Sequence, residues 1–181
     1  MKLAIALLLA VTATPHKAVA TPVFYTDRAS FDAAAGPLSL ESFESFSNGA
    51  SVVFDDFTLT ETSVADYQSK LYHLNSGSYE SFASAAVTHG SQAVYYDDNG
   101  NSVGTFAFTS PITAFGLDVT TTQDSSITVG GGDFTTTFDR SANTAGFWGV
   151  IKPTGISQLS FSASGDPKVA FDQLSYGEAV S

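Results

Sequence analysis

Acidic side chains set inside apolar runs are the residues of this chain that most need a chemical explanation. Asp172 follows Phe171 in the closing segment VAFDQLSYG, and Glu41 and Glu44 punctuate LSLESFESFSNG. An ionised carboxylate is too costly to bury unless a donor, a cation or solvent meets it. Lys and Arg together number only 7 in 181 residues, so ion pairs are in short supply. One solution brings the N-terminal and C-terminal strands together, with Glu44 and Asp172 sharing a Ca²⁺ completed by backbone carbonyls. Such a site would fasten the two ends of a chain that has no cysteine and hence no disulfide. The other solution has Asp172 accepting backbone N–H bonds from a loop.

Other residue types that carry chemistry are few. After the leader described below, the remaining histidines are His73, in an alternating strand, and His89, before Gly90 in a turn. Each reads as an ordinary surface or half-buried residue. Serines abound, but no G-x-S-x-G elbow places one for a Ser-His-Asp triad. The run Gly130–Gly132 leads to Asp133 and not to a Lys-bearing helix, so it marks a turn and not a phosphate cradle. Asp55-Asp56 and Asp97-Asp98 are sequence neighbours, whose side chains leave a strand on opposite faces. Neither pair makes a two-carboxylate glycosidase site by itself, and both read as turn or edge charges. The segment DDNGN (97–101) lacks the spacing and the closing Glu of a calcium loop; a hairpin about Asn99-Gly100 explains it.

Aromatic faces stack on sugar rings. Tyr95 and Tyr96 alternate, so one of them faces away from the core if their strand is half-buried, and the same holds for Phe147 and Trp148. Trp148, Tyr95 and Tyr96 are therefore the candidate glycan contacts, weighed against plain core packing.

The elements that must position these residues follow from pattern. Lys2 precedes an apolar run from Leu3 to Ala13, too short to span a bilayer, and Ala18-Val19-Ala20 gives a small-x-small cleavage pattern. Residues 1–20 read as a signal peptide, so the mature chain, 21–181, is exported as one domain. Lys2 and Lys17 leave with the leader, so five basic residues face 18 acidic ones, a formal charge of about −13. That charge offers no basic grip on nucleic acid or an anionic membrane, and no second apolar stretch predicts membrane insertion after cleavage. YTDRASFDAAAG reads as one short helix, capped by Thr26 or Asp27 and stopped at Gly36-Pro37. The rest is a series of short alternating runs: LSLESF, VVFDDFTLT, KLYHL, AVYYDD, SVGTFAFT, ITAFGLDVTTT, SITVGGGDFTTTF, GFWGVI, ISQLSFSAS and VAFDQLSYG. Ten or so strands in one domain predict an all-β, two-sheet β-sandwich with jelly-roll or Greek-key connections.

FYTDRASFDAAAG, FESFSNG, PITAFGLDV, GFWGVI, ISQLSFSASG and VAFDQLSYG occur in an order that resembles the β-sandwich domains of PEP-CTERM proteins, over nearly the whole mature chain. That resemblance implies an exported bacterial protein of the cell surface or extracellular polysaccharide matrix. In the family a Pro-Glu-Pro motif, a transmembrane helix and a basic tail follow the Tyr-Gly strand, whereas this chain ends at YGEAVS. The sandwich also resembles carbohydrate-binding jelly rolls that hold a structural calcium with an early Phe-Glu and a late Asp. Phe43-Glu44 and Asp172 match that pattern, and Gln173 departs from it. The function expected is a secreted, non-catalytic, glycan-binding protein. The alternatives are a polysaccharide hydrolase using paired carboxylates and a purely structural or adhesive matrix protein.

Overall fold

A computed structural model describes residues 21–62, 70–75, 77, 82–97, 102–165 and 167–180. The expected leader, the Asn99-Gly100 turn and Asp98 lie outside the described residues.

The chain forms eleven strands and two short helices in the order β1 (Val23–Tyr25), α1 (Arg28–Ala35), β2 (Ser39–Glu41), β3 (Ser51–Val53), β4 (Phe57–Thr62), β5 (Leu71–Asn75), α2 (Ala83–Ala86), β6 (Gln92–Asp97), β7 (Val103–Thr121), β8 (Ser125–Gly130), β9 (Thr135–Arg140), β10 (Gly146–Ala163) and β11 (Lys168–Gly177). The all-β class and the early helix agree with the sequence pattern. Asp27 is the N-cap of α1, accepting from the Ser30 N–H at 2.8 Å, and Gly36 at φ 77° ends the helix. The four-residue helix α2 carries no pattern that the sequence reading could find.

Two expectations about strands change. VVFDDFTLT is not one strand: β3 and β4 pair antiparallel, Val53 opposite Thr58, and Phe54, Asp55 and Asp56 make the turn between them. SVGTFAFT and ITAFGLDVTTT are one 19-residue strand, β7, and GFWGVI and ISQLSFSAS one 18-residue strand, β10. Pro111, Pro153 and Gly155 fall between those runs, and they sit where a strand bends from one sheet into the other. There the β7–β10 register shifts, between Ile151 and Ile156.

These two long strands build the sandwich. They lie side by side along their whole lengths. The C-terminal half of β7 pairs with β11, while the N-terminal half of β10 pairs with β1, giving a first layer β5-β6-β11-β7-β10-β1. The N-terminal half of β7 pairs with β4, while the C-terminal half of β10 pairs with β8, giving a second layer β3-β4-β7-β10-β8-β9. Aromatic rings join the layers: Phe115 and Phe171 of the first meet Phe106 and Phe161 of the second, with centroids 5.2–6.0 Å apart. Burying each such ring stabilises the fold by about 1.5–3 kcal/mol, which lets a chain without disulfides hold together.

The outer face of the first layer carries two covers. Helix α1 lays Phe31 on Gly116 and Gly149, which are opposite each other on β7 and β10. A Cβ at either glycine would fall within 2.9 Å of the Phe31 and Phe147 rings, so both positions need a bare backbone. Around α2, Phe82, Ala83 and Ala86 pack on Leu74, Ala93 and Ala170. Arg28 stitches α1 to the sheet: it donates to Asp118 Oδ1 at 3.0 Å, the Gln173 carbonyl at 2.8 Å and Ser175 Oγ at 3.2 Å, and stacks on Phe147.

Candidate functional site

Asp172 sits at a gap between neighbours. Strand β11 pairs with β6 up to Phe171 and with β2 from Leu174, and its own backbone bulges between, with Gln173 at φ 47°. Into that gap comes the loop that leads to β6. Asp172 Oδ2 accepts from the N–H groups of Thr88 (2.6 Å) and His89 (2.7 Å) and from Thr88 Oγ1 (3.2 Å); Oδ1 accepts from the Gln173 N–H (2.7 Å). Burial pushes the Asp172 carboxyl above its ordinary pKa, while these donors pull the other way.

Glu44 is exposed and holds the other end of the same loop. Its Oε1 accepts from the N–H groups of Ser91 (2.7 Å) and Gln92 (3.1 Å), and Oε2 from Ser91 Oγ (2.6 Å). The Ser91 hydroxyl and N–H hold its pKa below the ordinary value. The carboxylate lies against Gly90, whose φ is 68° and where any Cβ would strike it. Both carboxylates meet N–H and O–H donors, the alternative to a shared cation that the sequence left open for Asp172. Among the described residues no group of three or more His, Cys, Asp or Glu side chains could hold a metal.

Two of the three aromatic candidates turn inward. Trp148 is 2 % exposed, packed against Phe115, Phe138 and Phe161. Tyr96 is fully buried and donates its hydroxyl to the Phe161 carbonyl at 3.0 Å. Neither ring face is open to a sugar, which corrects the reading of these two as outward contacts. Alternation resolves the pairs: Tyr95 and Phe147 take the outer face of the first layer. Tyr95 stacks on Tyr72 at 5.2 Å and meets the edge of Phe82 at 6.0 Å, so it is half-buried. His73 stacks on Phe46 and bonds Gln92 Oε1, a structural role.

A cleft of about 510 Å³ lies where the β8–β9 turn meets the bend of β10. Gly131 donates to the Phe134 carbonyl and Gly132 adopts φ 77°, which folds the turn tightly and leaves open space beside it. Phe134 lies across Gly131 and forms an apolar wall, backed by the 42 % exposed Phe24 at 5.5 Å. Lys152 points in from β10. Its ammonium donates to the Gly155 carbonyl at 2.5 Å and pairs with Asp133 at 3.2 Å. Gln158 and Ser160 line the floor, with Ser160 Oγ donating to the Gly130 carbonyl. The cleft thus offers an ammonium, a carboxylate, an amide, a hydroxyl and an aromatic wall within one concavity. The sequence marked the glycine turn and Asp133, but nothing in it signalled that Lys152 and Gln158 would meet them.

A second cleft, of about 550 Å³, is lined by Glu41, Asp55, Asp56 and Tyr176 among others. Tyr176 donates to Asp56 Oδ2 at 3.1 Å, and burial with this bond pushes its pKa up to about 12. Acid–base hydrolysis needs a carboxyl kept protonated beside an ionised one. The carboxyl that burial raises, Asp172, does not line this cleft and is committed to four hydrogen bonds.

No protein-family model matches this chain, and no curated protein sequence matches it. Among solved structures it is similar to the enzymatically active domain of tailspike protein 4 of bacteriophage CBA120, at 14 % identity and TM-score 0.40, over 68 % of this chain and 19 % of that one. It is also similar to a mutant of CBM29-2, a family 29 carbohydrate-binding module (8 % identity, TM-score 0.41, 78 % of this chain and 95 % of that one). A third is the K2 cleaved adhesin domain of Lys-gingipain (11 % identity, TM-score 0.39, 86 % and 99 %). This chain spans about a fifth of the tailspike domain. Among the described residues no helix is long and apolar enough to cross a membrane.

Proposed function

We propose that this protein is an exported, non-catalytic module that binds glycan at the cell surface or in the surrounding matrix. The observation that carries the reading is the cleft between the β8–β9 turn and the bend of β10. Sugar recognition calls for a few fixed polar groups beside an apolar surface in a concave site. Lys152, Gln158 and Ser160 supply the first, and Phe134 supplies the second. Gly130 pairs with both Thr135 and Ser160, so the strands that frame the cleft are held in place before a ligand arrives. Export rests on the leader pattern of residues 1–20, and the surface location on the resemblance of the strand motifs.

The test is depletion from solution by a panel of insoluble bacterial, plant and algal polysaccharides, with released sugar measured in the supernatant. Wild type is expected to be depleted by at least one of them without releasing sugar. Gln158→Ala and Ser160→Ala are expected to weaken that depletion while the melting temperature stays within a few degrees. Release of sugar would overturn the non-catalytic reading and direct attention to the Glu41, Asp55 and Asp56 cleft. No depletion by any polysaccharide would overturn the glycan reading in favour of a structural or adhesive role.

A further inference from the structure

Lys152 and Asp133 are an ion pair of unequal burial. The lysine side chain is 8 % exposed and the aspartate side chain 61 % exposed. A buried ammonium must keep an anionic or carbonyl partner, and Lys152 has two: the Gly155 carbonyl, fixed in the bend of its own strand, and Asp133. The first is built in. The second sits at the tip of a glycine turn, next to Gly132, around which there is open space. An exposed partner of this kind contributes little to stability and is easily exchanged. Asp133 is the one carboxylate among the residues lining the cleft; the others are glycines, hydroxyl residues, Gln158, Phe134 and Lys152 itself. Once Asp133 swings out, the cleft is a neutral, hydroxyl-lined space with a cation at its base.

We infer that the cleft takes the carboxylate of a uronic acid residue, which replaces Asp133 on the Lys152 ammonium. The inference rests on the glycan reading above and narrows it to acidic polysaccharide. The incoming carboxylate restores the charge pairing that the lysine loses, so the exchange leaves no buried charge alone. The ring hydroxyls then meet Gln158, Ser160 and the glycine carbonyls, and the apolar ring face meets Phe134. A neutral sugar gains no such exchange, because entering the cleft leaves the Lys152–Asp133 pair as it is. Asp133 acts as a competing internal anion and as a gate on charge: it sets the affinity for acidic ligands and excludes none of the neutral ones.

The test compares uronate trimers (galacturonate, mannuronate and guluronate) with their neutral counterparts, in which each carboxylate is a hydroxymethyl group, by calorimetric titration. Wild type is expected to bind at least one uronate trimer more tightly than its neutral counterpart, and less tightly as salt rises. Asp133→Asn, at an exposed turn, keeps the fold and removes the internal competitor. It is expected to tighten uronate binding roughly two- to fivefold and leave the neutral trimers unchanged. Lys152→Met is expected to lose the preference for acid. Because that variant also removes the bond to Gly155, the sign of the Asp133→Asn effect decides. Weaker uronate binding in Asp133→Asn, or equal binding of acidic and neutral trimers, overturns the uronate assignment and leaves glycan binding standing. Failure of every trimer, where polysaccharide depletion still occurs, also overturns the assignment; failure of both overturns the two readings together.

Discussion

Asp172 and Glu44 grip opposite ends of one short loop, Thr88–Gln92: Asp172 holds the N–H groups of Thr88 and His89, and Glu44 those of Ser91 and Gln92. The loop is the entry to β6, so the two carboxylates fix where that strand joins the first layer. Replacing Asp172 by alanine removes a buried acceptor from three part-buried backbone N–H groups, those of Thr88, His89 and Gln173. An orphaned buried donor costs about 1–3 kcal/mol and water meets part of the need here, so Asp172→Ala is expected to lose roughly 1–3 kcal/mol in denaturant unfolding. Glu44→Ala is expected to lose much less, since water reaches the freed groups.

The same two carboxylates give opposite pH dependences. Asp172 has a raised pKa, so the folded chain keeps this proton to a higher pH than the unfolded chain does. Its contribution is present below about pH 4 and is lost as pH rises through the folded-state value. Glu44 has a lowered pKa, so its contribution is present above about pH 4 and is lost as pH falls through the folded-state value. Asp172→Asn cannot titrate. The stability gap between wild type and this variant is therefore expected to narrow as pH rises from 4 to 7. A gap that widens over that range would mean that the ionised form is the favoured one.

Calcium offers a separate check on the loop. With both carboxylates committed to N–H donors, a chelator is expected to leave the melting temperature of wild type unchanged, and added Ca²⁺ to leave it unchanged too. A rise with Ca²⁺ that Asp172→Asn abolishes would show an ion taking the place of those donors.

Trp148 is a core residue, and its truncation reads as such. Trp148→Ala empties a site walled by Phe115, Phe138 and Phe161 and is expected to cost about 3–5 kcal/mol, seen as a large drop in melting temperature. At temperatures where the variant is still folded, its glycan binding should match wild type. A folded variant that had lost binding alone would reopen Trp148 as a contact.

The layers of this fold were legible because alternation, turn residues and an early capped helix all act over short range. Asp27 and Gly36 were readable as helix ends for that reason. The bends of β7 and β10 were not, since Pro111 and Gly155 serve equally to end a strand or to turn a corner between sheets. The choice depends on partners many residues away. Alternation showed that only one of Tyr95 and Tyr96, and one of Phe147 and Trp148, can face the core, but not which; one register step decides the whole set. The carboxylate puzzle was visible in composition, and its backbone N–H solution was among the readings open from sequence. The cleft was hidden, because Lys152 and Asp133 are brought together by a hairpin and a strand bend that no local pattern links.

The cleft between the β8–β9 turn and the β10 bend is the proposed place of glycan binding. The most direct measurement is residue-resolved NMR titration of isotope-labelled residues 21–181 with a soluble oligosaccharide from whichever polysaccharide depletes the protein. Shifts are predicted to cluster at Gly130–Thr135 and at Lys152–Ser160, and the Trp148 indole is predicted to stay unmoved. Shifts centred instead on Tyr72 and Tyr95, or on the Glu41, Asp55 and Asp56 cleft, would contradict the account.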